Sequence, residues 1–591
     1  MCYIWLLYYL VRKNVQYFLC FQQEKSPRFL VKSTIFYDIF LRIPFVVDKS
    51  FMRVRHSKTL VFKSKVMYHN RDVISINSYL SARCTNTAIM RKKGKMMIEY
   101  ISTRDPSIRV SSSKAVLDGQ AAGGGLYVPS DIDLIKADYH DIINGDFRSM
   151  AKAVWNIFFD DYGNELIDEL VERSYKDKFT SDEITPVVRT HSSKSDAFVL
   201  ELYHGPTSAF KDVALSALPN LMSAARSMND FTDDIMILTA TSGDTGSAAI
   251  AGFSNVPGTG IIVFYPHGGV SDTQRLQMVT PDAANVTACA IRGNFDDAQT
   301  GVKRLFREIP KPVDGVSLSS ANSINIGRLV PQIVYYYSAY AQLLRDGVIA
   351  DGDKIDFVVP TGNFGDIMAG WYALKMGLPI RRLICASNKN DVLTEFLTTG
   401  HYDRKRDFHK TTSPSMDILV SSNLERLLFY ICGPEHTLEY MKQLEQTGEY
   451  TITADELAEM KSVFCGICAS DEEGAAAIRD VFEADRYLMD THTSIAWACM
   501  EKYMADQAYE SAPAVVLSTA SPYKFSAAVL EALGEDLTGS DEGNMMKCRE
   551  ITNAPVPSGL AGIFKKPIIH EDVIEISDMK SYVVEKSRSR D

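Results

Sequence analysis

Three short runs in this 591-residue sequence combine residue types that could do chemistry. The first is His204-Gly-Pro-Thr-Ser-Ala-Phe-Lys-Asp212. A lysine at a buried strand-to-helix turn, as Lys211 would be, is costly unless it is paired or chemically used. Desolvation lowers the pKa of such an amine and frees it to form a Schiff base with an aldehyde. Taken alone, Phe-Lys-Asp is more simply a solvated lysine in the first turn of a helix. The second run is Thr361-Gly-Asn-Phe-Gly-Asp366. Its glycines allow close approach of backbone N–H groups to an anion, and the helix expected after it offers a start that can cradle a phosphate monoester. It lacks the Gly-Lys-Ser/Thr of a Walker loop and the spacing of a dinucleotide fingerprint, and glycine turns before helices are common. The third is Thr241-Ser-Gly-Asp-Thr-Gly-Ser247. Its hydroxyls and amides suit a carboxylate, or simply cap a helix.

The elements around these runs follow a repeating pattern. Short apolar stretches at 197–203, 234–240, 260–265, 354–359, 382–386 and 513–517 read as strands, and 295–309, 326–344 and 366–377 read as helices. Near-continuous apolar strands separated by helices predict a mostly parallel sheet covered on both faces. Ligands in such sheets sit beyond the carboxyl ends of the strands, which is where all three runs fall. Residues 96–176 read as a partly helical module, with a flexible turn at 122–125 and helix over 147–174. Residues 423–484 are acidic and read as an appended helical region without strands.

Together the runs supply a Schiff-base lysine, a phosphate cradle and a carboxylate loop, the three grips needed on pyridoxal 5'-phosphate joined to an amino acid. With further stretches they resemble the threonine synthase family. Those stretches are Ile98–Arg104, Gly124–Pro129, Tyr265–Ser271, Asn322–Arg328, Pro414–Val420 and Ser518–Phe525. The resemblance covers about residues 97–570. It implies a fold-type-II α/β enzyme: mostly parallel sheets flanked by helices in two subdomains, a small N-terminal domain and a helical appendage. The implied boundaries are 96–176 for the N-terminal domain, 177–570 for the catalytic domain and 571–591 for a C-terminal tail.

The resemblance also implies roles. Lys211 would carry the cofactor covalently and then act as the base. Gly362, Asn363, Phe364, Gly365 and Asp366 would hold the cofactor phosphate, and Thr519 would face the pyridine nitrogen. Thr241, Ser242 and Thr245 would take the substrate carboxylate, with Asp244 left unassigned because shorter relatives carry asparagine there. Asn322, Ser323 and Arg328 would grip the substrate phosphate, Arg328 being otherwise a helix-surface cation. The implied reaction turns O-phospho-L-homoserine and water into L-threonine and phosphate by γ-elimination and β-addition of water, the last step of threonine biosynthesis. A catabolic phospho-lyase acting on phosphorylated amino acids shares the Lys211 and Thr361–Asp366 motifs and is the alternative; a non-catalytic protein of the same fold is a more distant one.

Composition narrows the remaining choices. The net charge is −11, yet residues 1–95 hold 18 Lys+Arg against 4 Asp+Glu, a balance of +14, leaving −25 for the rest. An acidic body argues against nucleic acid as partner. Residues 1–95 admit three readings: upstream sequence with the enzyme starting at Met96 or Met97, a targeting segment, or an accessory extension. The eleven apolar residues that open the chain are too few for a membrane span. The expected state is a cytoplasmic monomer or homodimer, with organelle import through residues 1–95 left open. Ten cysteines show no metal-type double pair, and Cys465-x-x-Cys468 reads as two ordinary thiols on a helix; no metal is expected.

Overall fold

The computed structural model describes residues 91–92, 95–506 and 512–588. The basic extension expected over 1–95 therefore lies outside the described residues, apart from 91, 92 and 95, which join Met96 in a small antiparallel hairpin.

Two sheets carry the fold. Eleven strands are numbered in chain order: β1 Val187–His191, β2 Asp196–Glu201, β3 Asp234–Ala240, β4 Thr259–Pro266, β5 Val286–Arg292, β6 Val316–Ser319, β7 Ile355–Pro360, β8 Ile380–Ser387, β9 Phe464–Cys468, β10 Ala514–Ser518 and β11 Val573–Glu575. One sheet has the order β9-β8-β7-β10-β2-β1 and the other β6-β3-β4-β5-β11. All pairings are parallel except β1 with β2. β4 and β7 are buried at every position, as strands covered by helices on both faces must be.

The helix Ile326–Arg345 runs through the middle of the core. Tyr335, Tyr336, Tyr337 and Tyr340 on it are fully buried. Its start is pinned by Asn325, whose side chain accepts from Gly327 N at 2.8 Å and donates to Val116 O at 2.9 Å. Val116 lies in the N-terminal module, a three-stranded antiparallel sheet with flanking helices. The module shares one continuous hydrophobic core with the two large sheets, so it positions the helix that carries Arg328.

Three expectations need correction. Residues 423–484 are not purely helical: β9 forms the outer strand of the first sheet, and Glu449–Thr451 pairs with His401–Asp403. Phe464-Cys-Gly-Ile-Cys468 has no run of β-branched residues, so its strand character comes from pairing with β8. Cys465 and Cys468 accordingly sit on a strand and are free thiols. The expected C-terminal tail over 571–591 is, across its described residues 571–588, part of the fold: β11 pairs with β5 and the following helix Met579–Arg588 buries Met579, Tyr582 and Val583.

Candidate active site

Lys211 opens the helix Lys211–Leu215, at the end of the loop that leaves β2. The loop is tied to the end of β10: Phe210 N donates to Thr519 O at 2.8 Å, and Ala209 bridges Ala520. Lys211 and Thr519 are thereby neighbours, although the sequence separates them widely. Lys211 is 8% exposed, which removes the solvated alternative. Its Nζ lies 3.3 Å from Ser415 Oγ, 3.8 Å from Asp244 Oδ2 and 4.7 Å from the centre of the Phe210 ring. Burial pulls the amine down to about 8; Asp244 opposes that, and the nearby charges of Lys524 and Arg328 reinforce it. Asp212 faces elsewhere, accepting from Thr207 N at 2.8 Å and Thr207 Oγ1 at 2.6 Å.

The Thr361–Asp366 run follows β7 and leads into the helix Gly365–Met376. Phe364 adopts a left-handed conformation with φ +60°, which turns the chain sharply into the helix. A Cβ on Gly362 would lie 2.5 Å from Ser415 O, so only glycine fits there. The N–H groups of this first turn have no partner within the helix and face outward from its start. Asp366 is buried, with Tyr335 OH donating to Oδ1 while Oδ2 has no partner. Burial pushes its carboxyl up to about 7. A carboxylate cannot accept from a phosphate, so its contribution to an anion cradle would be the backbone N–H or a protonated carboxyl.

In the Thr241–Ser247 run, Thr241 Oγ1 accepts from Gly243 N and Gly246 N, both at 2.9 Å, and closes the loop on itself. Gly243 has φ +141° and packs against the Gln274 amide, where a Cβ would come within 2.4 Å. Ser242 is exposed and Thr245 half-buried. Asp244 is buried and bonded through Oδ1 to Lys524 Nζ at 2.9 Å and Gln274 Nε2 at 3.0 Å. Burial works against its charge, but Lys524 and Lys211 outweigh it and hold the carboxyl well below the usual range.

Arg328 is 5% exposed and not a helix-surface cation. Its Nη1 donates to Ala321 O at 2.8 Å, Nε has no partner, and burial pulls the guanidinium down to about 10. Asn322 and Ser323 line a cleft of about 690 Å³ together with Asn363 and Ser422. The structure thus gathers Lys211, Arg328 and Asp244, and puts Asn322 and Ser323 with Asn363 at the cleft.

Sequence reasoning missed four participants: Lys524, Ser415, Tyr335 and the pairing of Asp244. Lys524 had a usable signal, since Pro-Tyr-Lys-Phe sets a lysine among apolar residues much as Ala-Phe-Lys211 does. Its side chain is fully buried, and Nζ also donates to Thr207 O at 2.9 Å.

Known proteins resemble this chain in sequence and fold. Residues 181–520 match the model of the pyridoxal-phosphate dependent enzyme family, 99–175 that of the threonine synthase N terminus, and 493–583 that of the threonine synthase C-terminal region. Threonine synthase-like 1 of Homo sapiens is 38% identical over 466 residues, 73% of this chain and 60% of the relative. The chain thus spans 60% of the length of that relative. Threonine synthase of Schizosaccharomyces pombe is 36% identical over 472 residues, 74% of this chain and 89% of the relative. The structure of pyridoxal-phosphate-bound threonine synthase from Brucella melitensis superposes with a TM-score of 0.74 at 36% identity, covering 83% of this chain and 100% of the other.

The residues present fit pyridoxal phosphate. A buried amine pulled down to about 8, a glycine turn closed to any Cβ and a helix start with free amides are what a bound aldehyde bearing a phosphate requires. No helix among the described residues is long and apolar enough to cross a membrane. Geometry, family models and relatives agree, and the chain belongs to the threonine synthase family of pyridoxal-phosphate-dependent, fold-type-II enzymes.

Proposed function

We propose that the protein converts O-phospho-L-homoserine and water into L-threonine and phosphate. The observation that carries this reading is Arg328: a buried guanidinium near Lys211, with Nε partnerless and joined to no carboxylate among the described residues. A cation held this way is favourable only if an anion arrives to meet it, and its planar fork suits a phosphate dianion.

When bound, pyridoxal phosphate supplies an electron sink for charge developing on the substrate carbons. Lys211 Nζ would anchor it, and its free amine would take protons from Cα and Cβ of the substrate and return them. An amine near pKa 8 suits both directions at neutral pH. The backbone N–H groups of Gly362 to Asp366 would hold the cofactor phosphate, and Thr519 would provide the hydroxyl for its ring nitrogen. Thr241, Ser242 and Thr245 orient the substrate carboxylate. Arg328, Asn322 and Ser323 bind the phosphate that leaves Cγ, after which water adds at Cβ. Asp244, held ionised by Lys524, places a negative charge 3.8 Å from Lys211 Nζ that opposes the lowering by burial, while the charge of Lys524 works the other way.

One second reading stays open because relatives at 38% identity bear the name threonine synthase-like 1 rather than threonine synthase: a phospho-lyase that releases a keto acid, ammonia and phosphate. Incubating purified protein with O-phospho-L-homoserine is expected to give threonine and phosphate in equal amounts. 2-Oxobutyrate with ammonia in place of threonine would select the lyase, and no turnover would reject both.

Gly362→Ala tests the cradle. Its Cβ must displace the Ser415 carbonyl, and overpacking of this kind costs roughly 1–3 kcal/mol. Titration of apoprotein with pyridoxal phosphate should show affinity weakened about tenfold or more, in line with that cost. Unchanged affinity would remove this loop from the cofactor site.

A further inference from the structure

Ser415 is the residue on which two parts of the cofactor site converge. Its Oγ is 3.3 Å from Lys211 Nζ, and its carbonyl oxygen closes off Gly362. It sits in a single 3-10 turn, Pro414–Met416, too short to hold its own backbone in place. The Ser415 N–H finds its acceptor outside the turn, at His492 Nε2, 3.1 Å away. His492 is almost fully buried, with the Phe525 ring packed edge-on against it at 4.9 Å between centres.

An imidazole nitrogen can accept only when it carries no proton, so the His492 proton must sit on Nδ1. Asp490 Oδ1 lies 2.8 Å from Nδ1 and is bonded to fix that tautomer. Asp490 is itself immobilised. It caps the helix Thr491–Met504, accepting from His492 N at 2.8 Å and Thr493 N at 3.4 Å, and it also takes a bond from Thr493 Oγ1. Thr493 Oγ1 continues to Ser518 Oγ at 2.9 Å, and Ser518 precedes Thr519 at the end of β10. One buried carboxylate therefore braces both the turn beneath Lys211 and the strand end that carries Thr519.

We propose that Asp490 and His492 are positioning residues for the reaction: acting through Ser415, they fix Lys211 Nζ and the Gly362 wall relative to each other. The inference rests on Lys211 being the covalent partner of pyridoxal phosphate. His492→Gln keeps an acceptor where Nε2 lies, His492→Leu removes it at similar bulk, and Ser415→Ala removes only the hydroxyl beside Nζ.

The test uses the full chain. Apoprotein is titrated with pyridoxal phosphate, and the pH midpoint of the visible band of the bound cofactor is then measured. Ser415 Oγ can accept from a protonated nitrogen at Lys211, so its loss should lower the midpoint by about half a unit to one unit, with Asp244, Lys524 and Arg328 unchanged. His492→Leu should lower it similarly and weaken cofactor binding about tenfold, with kcat falling more than KM rises. His492→Gln should stay within about threefold of the parent in affinity, since it keeps the hydrogen bond. A helix cap without further role would leave the midpoint unmoved in His492→Leu whatever Ser415→Ala does, and that result overturns the proposal. Should His492→Leu fail to fold, Asp490→Asn decides: it can still cap the helix, but its side-chain amide can donate to Nδ1 and so push the imidazole proton to Nε2, where Ser415 N can no longer donate; a lowered midpoint supports the proposal and an unmoved one overturns it. A parent protein that shows no visible band rejects the Lys211 assignment and this inference together, whereas unmoved midpoints in variants of a parent that has the band reject the inference alone.

Discussion

Lys211→Ala is expected to abolish turnover, by about a thousandfold or more, because no other amine can take both roles given to this one. The other ammonium beside Asp244, Lys524, is bonded to Asp244 and Thr207 and is not free to replace it. The visible absorbance of the bound cofactor should vanish with the activity, while the fold persists. Retained activity would refute the assignment of Lys211. The apoprotein offers a second and independent reading through Lys211→Met, which keeps the bulk and removes the charge. The buried amine has its pKa lowered from the ordinary 10.5 to about 8, so between those values the unfolded chain binds more protons than the folded one. Stability therefore rises with pH across that window. Below pH 8, keeping the buried amine charged costs about 3 kcal/mol, since a tenfold change in a proton-binding constant is worth roughly 1.4 kcal/mol. Lys211→Met should accordingly be the more stable apoprotein at pH 7, with the difference closing as pH approaches 10.5. Urea denaturation at pH 7 and 10 reads this directly.

Arg328→Leu should have effects of opposite sign on activity and stability. Losing a charge-assisted grip on the substrate phosphate is expected to lower kcat/KM for O-phospho-L-homoserine by about a thousandfold, roughly 4 kcal/mol of transition-state binding. The folded protein without substrate should gain about 1–3 kcal/mol, because a buried, partnerless guanidinium nitrogen no longer has to be desolvated. Steady-state kinetics and denaturant unfolding of the same preparation test both. Intact kcat/KM would show that the substrate phosphate binds elsewhere. Loss of stability would make Arg328 a structural residue, held by its bond to Ala321 O.

Much of the architecture was legible from local pattern. The apolar run 234–240 is β3 to the residue, and the helix expected over 326–344 extends only to Arg345. Both are buried along nearly their whole length, so side-chain character and structure coincide. Strands that depend on partners were not legible. Val286-Thr-Ala-Cys-Ala-Ile-Arg292 has small residues where a strand pattern wants branched ones, and β1, β6, β9 and β11 are short edge strands with mixed burial. Tertiary pairing decides such segments, and that information lies outside them.

The site divides in the same way. The lysine, the glycine turn and the hydroxyl loop could be read as chemistry because each is a local combination of residue types after an apolar strand. What the chain order alone could not disclose is which of these loops face one another, that Asp244 pairs with Lys524, or that Ser415 and His492 stand behind Lys211. A parallel sheet brings the carboxyl ends of all its strands to one edge, whatever their distance along the chain. The types of group available are thus written locally, while their partners, and the pKa values those partners impose, exist only once the strands are stacked.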